Sequence, residues 1–299
     1  MQKSGSIKGK LLLLFIAVAW GSSMVVIKGS TDFIPPGMLL ALRFTIASVI
    51  LALIYRKQLK LIDKDYIKAG IFIGVCLFCA YFTQTIGVML EMPGKSHFLS
   101  SAYCVFVPFI GWIVLREKPK MYHIVAATMC AVGIIFVSVA GTFSISSILS
   151  SLFWAAQIIA IAKWGKDKDP GIITMLQFIV SAILAWGFTL TQEHLGKVQI
   201  NGEVIFGVLY LGIVCSGLCF LFQTISQKTE SPTSVSIILS FENIFGIVFG
   251  MVFFNETMTV NKAIGFVLMF AAILIAELQP SFLKSKADKA REAQEKQTA

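Results

Sequence analysis

Residues 17–44 read AVAWGSSMVVIKGSTDFIPPGMLLALRF, and residues 151–178 read SLFWAAQIIAIAKWGKDKDPGIITMLQF. Laid over one another, Trp20 meets Trp154, Ile27 meets Ile161, Pro36-Gly37 meets Pro170-Gly171, Leu42 meets Leu176 and Phe44 meets Phe178. The spacing is about 134 residues, far longer than the 20 to 50 of solenoid repeats, so the duplicated unit is half the chain. Beyond a five-residue insertion around Thr191 to Glu203 the match resumes. Val75-Cys76 then meets Val214-Cys215, Gln84-Thr85-Ile86 meets Gln223-Thr224-Ile225, Pro93 meets Pro232, Ser101 meets Ser240, Gly111 meets Gly250 and Glu117 meets Glu256.

The unit that repeats is a membrane unit. Of 299 residues, 57% are hydrophobic and 14% charged, with a mean hydropathy of +0.82, which is too apolar for a soluble domain. Crossing the hydrocarbon core takes about 20 apolar residues. Ten stretches meet that length: Leu11 to Ser30, Gly37 to Tyr55, Ile67 to Ile86, Ser96 to Leu115, Met121 to Ala140, Ser144 to Ala162, Gly171 to Thr191, Val204 to Ser226, Thr233 to Phe254 and Ala263 to Leu278. Each half, residues 1–142 and 143–279, then holds five spans. An odd number sends the second half through the membrane upside down, an inverted repeat of the kind that lets secondary transporters exchange two states around a midplane site.

The formal charge of +9 does not signal nucleic acid here, because its position carries the meaning. Of the 25 Lys and Arg, twenty fall in one alternate set of loops, including Lys57, Lys118, Lys166, Lys228 and the charged tail of residues 280–299. The other set holds Lys28, Lys95, Lys197 and Lys262, and Arg43 lies within a span. Both termini are therefore expected in the cytoplasm. Lys8 and Lys10 ahead of Ala17-Val18-Ala19 mimic a signal peptide, but the apolar run continues through Ile27 and has a partner in the second half, so this segment is expected to stay.

The order and duplication of Trp20-Gly21-Ser22, Leu42-Arg43-Phe44, Tyr103 to Pro108 leading to Arg116-Glu117-Lys118, and Phe241-Glu242 leading to Asn255-Glu256 resemble the EamA-type transporters of the drug/metabolite transporter superfamily. The resemblance covers about Leu11 to Leu278. It implies an all-α integral membrane protein of ten helices, a central cavity lined by the first four helices of each half, and peripheral fifth helices that often make a homodimer contact. It further implies a plasma-membrane exporter of amino acids or related small organic metabolites. This chain carries Asn243 where many second repeats place a proline after the glutamate.

Polar groups kept in hydrocarbon are the functional candidates. Of sixteen acidic residues, Glu242 alone lies deep in a span, about 13 Å from its cytoplasmic end at 1.5 Å per residue. It reads as a substrate counter-ion or proton-coupling carboxyl, or else as a hydrogen-bonded packing residue beside Gly246 and Gly250; Asn243 shares its setting. Arg43, with Gln177 at the equivalent place, reads as a carboxylate binder or as the partner of Glu242 or of helix ends. Lys28, nearer the surface, reads as snorkelling. Gln84 and Gln223 recur as cavity or interhelical hydrogen-bonding groups, whereas Glu117 and Glu256 read as caps. Trp20, Tyr81, Tyr103 and Trp154 read as aromatic cavity walls, suited to apolar or cationic solutes, or as plain packing.

Enzyme chemistry finds little support. His97, His123 and His194 lack metal spacing, no Asp lies within a span, and no Gly-rich phosphate loop is present. Cys76 and Cys79 have C-x-x-C spacing in surroundings too apolar for a thiolate, and read as small filler. No cofactor, metal or catalytic residue is expected. The sequence points to a solute, membrane lipid and protons as partners, with uptake of a cationic or quaternary amine as the alternative to export.

Overall fold

Helix signals in the sequence act locally where they can be checked. In the computed structural model, which describes residues 7–90, 100–116, 118–138, 145–193, 198–254, 258–278, 280 and 283, Asp169 accepts hydrogen bonds from Gly171 N and Ile172 N and starts a helix with Pro170 in its first turn. Asn201 caps Val204 N, and Ser231 caps Ser234 N ahead of Pro232. The helices that follow from such starts are α1 (Ile7–Thr31), α2 (Pro36–Ile54), α3 (Lys64–Leu90), α4 (Tyr103–Leu115) and α5 (Met121–Ser138). Then come α6 (Ile145–Ala160, widening to π geometry over Ile161–Gly165) and α7 (Pro170–Gln192). Helix α8 runs as Gly202–Leu209, a π stretch Tyr210–Leu218 and Cys219–Ser226, and is followed by α9 (Pro232–Leu239), α10 (Glu242–Phe254) and α11 (Val260–Leu278).

The protein is all-α and crosses the membrane several times. Among the described residues, seven helical stretches are long and apolar enough to span, and α4, α5 and α11 contribute shorter apolar helices. Their outer faces carry exposed Phe72, Phe109, Ile113, Ile183, Phe206 and Val267, a rim that suits lipid and not water. The interior mixes a large apolar cluster with polar groups, since Ser150, Gln157, Gln177, Ser216 and Gln223 are fully buried. Polar groups of this kind hold helices together where lipid supplies no hydrophobic drive.

The repeat register recurs in the element bounds. Helices α4 and α10 begin at Tyr103 and Glu242 and end at Leu115 and Phe254, equivalent positions in the alignment, and α2 and α7 begin at the aligned Pro36 and Pro170. Helix α2 packs along α7, α3 against α6 and α7, α1 against α8 and α10, and α5 against α11. The α2–α7 pair is antiparallel. Glu193, just past the end of α7, accepts from Gly37 N at 2.7 Å and Met38 N at 2.9 Å at the start of α2, while Tyr55 at the end of α2 lies on Gly171 at the start of α7.

The ninth stretch departs from expectation. Thr233 to Phe254 is expected as one helix, yet it breaks at Ser240–Phe241 into α9 and α10 without a proline at the break. Short polar side chains supply the alternative partners: Ser236 Oγ donates to Thr233 O, Ser240 Oγ to Ile237 O, and Asn243 Nδ2 to Ser240 O. Glu242 therefore opens the second segment while keeping its place midway along the 22-residue span Pro232–Phe253. Glu117, Glu256, Pro93, Lys95, His97, His194, Lys197, the boundary at residues 142–143 and nearly all of the tail lie outside the described residues.

Candidate functional site

The break in the ninth stretch turns Glu242 toward the junction of α1, α3, α4, α6 and α8. A cavity of about 30 Å³ lies there. Its walls include Trp20, Tyr81, Tyr103 and Trp154, and its polar lining includes Gln84, Gln223, Ser23 and Glu242. That volume holds about two waters, so the cavity is closed to any organic solute until the helices part.

The aromatic wall and the core rings behind it include repeat-equivalent residues that touch. Trp20 and Trp154 have ring centroids 5.9 Å apart, Phe44 and Phe178 5.7 Å, and Tyr81 lies 6.2 Å from its counterpart Phe220. Tyr103 and its counterpart Glu242 are joined by a hydrogen bond, the Tyr103 hydroxyl donating to Glu242 Oε1 at 3.1 Å. Trp20 Nε1 donates to Cys215 O at 2.8 Å, a carbonyl in the π stretch of α8, where the wider turn displaces the regular helical pairing.

Around Glu242 the donors are hydroxyls. Ser101 Oγ stands 2.8 Å from Asn243 Oδ1 and 3.3 Å from Glu242 Oε1, so its single proton is shared between two acceptors. Asn243 thereby ties the helix break to α4 and sits behind the cavity wall. Arg43 also lies behind it, 1% exposed, and its hydrogen bonds go to hydroxyls and not to Glu242. Its Nε donates to Ser216 Oγ at 2.9 Å and its Nη2 to the Tyr81 hydroxyl at 3.1 Å, with the guanidinium carbon 4.5 Å from the Tyr81 ring centroid. Lys28, by contrast, is exposed in the last turn of α1.

Gln177 takes the place equivalent to Arg43 but enters a different network. Gln223 Nε2 donates to Gln157 Oε1 at 3.2 Å, and Gln157 Nε2 donates to Gln177 Oε1 at 3.3 Å. The chain of amides ends at two buried atoms without a partner, Gln223 Oε1 and Gln177 Nε2. Ser23, Gln157, Ser101 and Ser216 are residues that sequence reasoning missed. A signal existed for two of them: Gln157 aligns with Ser23 of the lining, three residues beyond the repeated tryptophan, and Ser101 aligns with Ser240.

Among the described residues no group of three or more His, Cys, Asp and Glu is placed to hold a metal. The cavity offers aromatic faces, amides, hydroxyls and one carboxylate, the furnishings of a solute passage.

Similarity to known proteins agrees with that chemistry. The model of the EamA-like transporter family matches residues 7–139 and again residues 142–278. A transporter of Archaeoglobus fulgidus is 28% identical over 270 residues, covering 89% of this chain and 85% of that protein. The transporter YoaV of Bacillus subtilis is 24% identical over 286 residues, covering 90% and 96%. A solved crystal structure shares the fold with a TM-score of 0.77 at 18% identity, over 94% of this chain and 100% of the other. The work of this protein is secondary transport and not catalysis, and the chain belongs to the EamA-like transporter family.

Proposed function

We propose that the chain is an alternating-access exporter of amino acids or related small organic metabolites, built of two inverted five-helix halves, with Glu242 as the proton-coupling carboxyl. The observation that carries the reading is Glu242 itself, a 5% exposed carboxyl at a helix break, lining the closed central cavity and held by the hydroxyls of Tyr103 and Ser101. A carboxyl there changes protonation when the cavity opens to water on either side, because hydration favours its charged form. The antiparallel pairing of α2 with its counterpart α7, and the touching of equivalent rings, support the inverted repeat. The sorting of Lys and Arg among the loops supports a plasma-membrane orientation with both termini in the cytoplasm. The paired fifth helices, α5 and α11, sit together and suit a peripheral place where a second copy docks.

Reconstituted vesicles loaded with a mixture of the twenty amino acids test it. Wild-type flux is expected to rise with an opposing proton gradient. Glu242→Gln is expected to lose that dependence and at least about tenfold of the flux, while insertion and thermal stability remain. Full, pH-dependent flux in Glu242→Gln refutes the coupling role. A second reading, uptake of a cationic or quaternary amine, draws on the aromatic walls beside a carboxylate; a potential-driven, pH-independent current selects it.

A further inference from the structure

Arg43 is among the largest fully buried side chains in the protein, and both of its hydrogen-bond partners are neutral hydroxyls. A guanidinium in a membrane interior is costly, and two hydroxyls with two aromatic rings, Tyr81 at 4.5 Å and Phe44 at 5.8 Å, offset that cost less completely than a carboxylate does. Arginine grips a carboxylate with two nitrogens at once, either Nε with Nη2 or Nη1 with Nη2. The nitrogen common to both grips is Nη2, and the Tyr81 hydroxyl sits on it. Tyr81 is also a wall of the cavity, packed edge-on to Trp154 at 4.8 Å. One side chain, Tyr81, thus stands between the cavity and the Arg43 guanidinium.

The alignment shows that this arrangement is made once and not twice, with Arg43 and Tyr81 from the first half and Ser216 from the second. Arg43, Tyr81 and Ser216 align with Gln177, Phe220 and Leu77, so the charge, the covering hydroxyl and the second hydroxyl are all replaced together. Aromatic residues at equivalent places serve the symmetric contact; three polar groups that meet only once serve something directional. At the cavity itself, Glu242 and the unpartnered Gln223 Oε1 offer acceptors and no cation, which fits a protonated amine.

We infer that Arg43 is the carboxylate subsite of the transported solute, covered in this closed conformation by Tyr81, and that the solute is a zwitterionic α-amino acid whose ammonium group lies at Glu242 and Gln223. The inference rests on the amino-acid reading above and adds the polarity of binding and a gate. When Tyr81 turns away from Nη2, the carboxylate takes its place while Ser216 keeps Nε.

Binding to purified protein in lipid nanodiscs tests it. The twenty L-amino acids are screened first, and the tightest binder is then compared with its α-amide and its decarboxylated amine. Wild type is expected to prefer the acid by about tenfold, the value of a charge-assisted pair over a neutral one. Arg43→Gln is expected to erase the preference while keeping amine affinity. Tyr81→Phe is expected to tighten the acid several-fold without changing the amide, since it removes the competitor for Nη2. Should Arg43→Gln not fold, Tyr81→Phe decides alone. An unchanged acid preference in Arg43→Gln, or weaker acid binding in Tyr81→Phe, overturns the subsite while leaving amino-acid transport standing. Flux of other solutes with no amino acid bound overturns the amino-acid reading, and the subsite with it.

Discussion

Gly21 tests whether the closed contact between α1 and α10 is one the transport cycle opens. A Cβ at this position would lie 2.5 Å from Phe245 Cβ, 2.8 Å from Glu242 O and 2.9 Å from Gly246 N. Two of these are backbone atoms that no rotamer change can move. Ordinary carbon contact needs about 3.5 Å or more, so Gly21→Ala forces the helices apart by about 1 Å. Overpacking of this size costs about 1 to 3 kcal/mol, which shifts a two-state equilibrium by about 5- to 150-fold. If α1 and α10 separate during the cycle, the cost falls on the closed state and favours the open one. The assay is the reaction rate of Ser23→Cys, a lining position, with a membrane-impermeant maleimide, measured with and without Gly21→Ala. A rate increase of about fivefold or more is expected. If the contact is instead permanent, melting temperature falls and labelling does not rise; an unchanged rate together with an unchanged melting temperature refutes the packing argument itself.

Two other contacts yield smaller, purely structural expectations. Glu193→Ala removes both acceptors for Gly37 N and Met38 N at the positive end of α2 and is expected to cost about 1 to 2 kcal/mol, whereas Glu193→Gln keeps one acceptor oxygen and costs about half as much; thermal unfolding in detergent ranks the pair. Trp20→Phe strands Cys215 O in the π stretch of α8 and is expected to cost about 1 kcal/mol, with the ring contacts to Trp154 and Phe220 retained; equal stability to wild type would mean that the displaced carbonyl finds another partner.

Seven spans among the described residues were legible because an apolar run of about 20 residues is a signal that neighbouring structure cannot erase. The repeat was legible because it preserves paired prolines and tryptophans at fixed spacing. The break before Glu242 was not, since it uses neither Pro nor Gly. Ser236, Ser240 and Asn243 compete for backbone groups within one turn, and whether such residues bend a helix depends on what else they meet, here Ser101 of the turn before α4. The π stretch of α8 was likewise hidden; its Gly212, where a Cβ would press on Ile46 at 2.9 Å, announces closeness to α2 and not the width of the turn. Of the site residues, those that line the cavity sit on the inward faces of their spans. Arg43 and Gln177 occupy equivalent positions but are steered to different partners by residues far off in the chain, Ser216 and Gln157, and no local pattern encodes that.

The division between matched and unmatched pairs bears on how a solute drives the cycle. Trp20 with Trp154 and Phe44 with Phe178 are identical across the proposed repeat and in contact, so exchanging the roles of the halves leaves their packing energy nearly unchanged. Charge is distributed otherwise: Arg43 belongs to the first half and Glu242 to the second, each facing an uncharged counterpart, Gln177 and Tyr103. A ligand shifts an equilibrium only through its differential affinity for the two states. A solute charged at one end acts on one half alone and biases the pair weakly. A zwitterion that reaches both charges spans the halves, so its binding energy depends directly on their relative position, and uncovering Arg43 becomes the step by which the solute is felt on the far side of the aromatic wall.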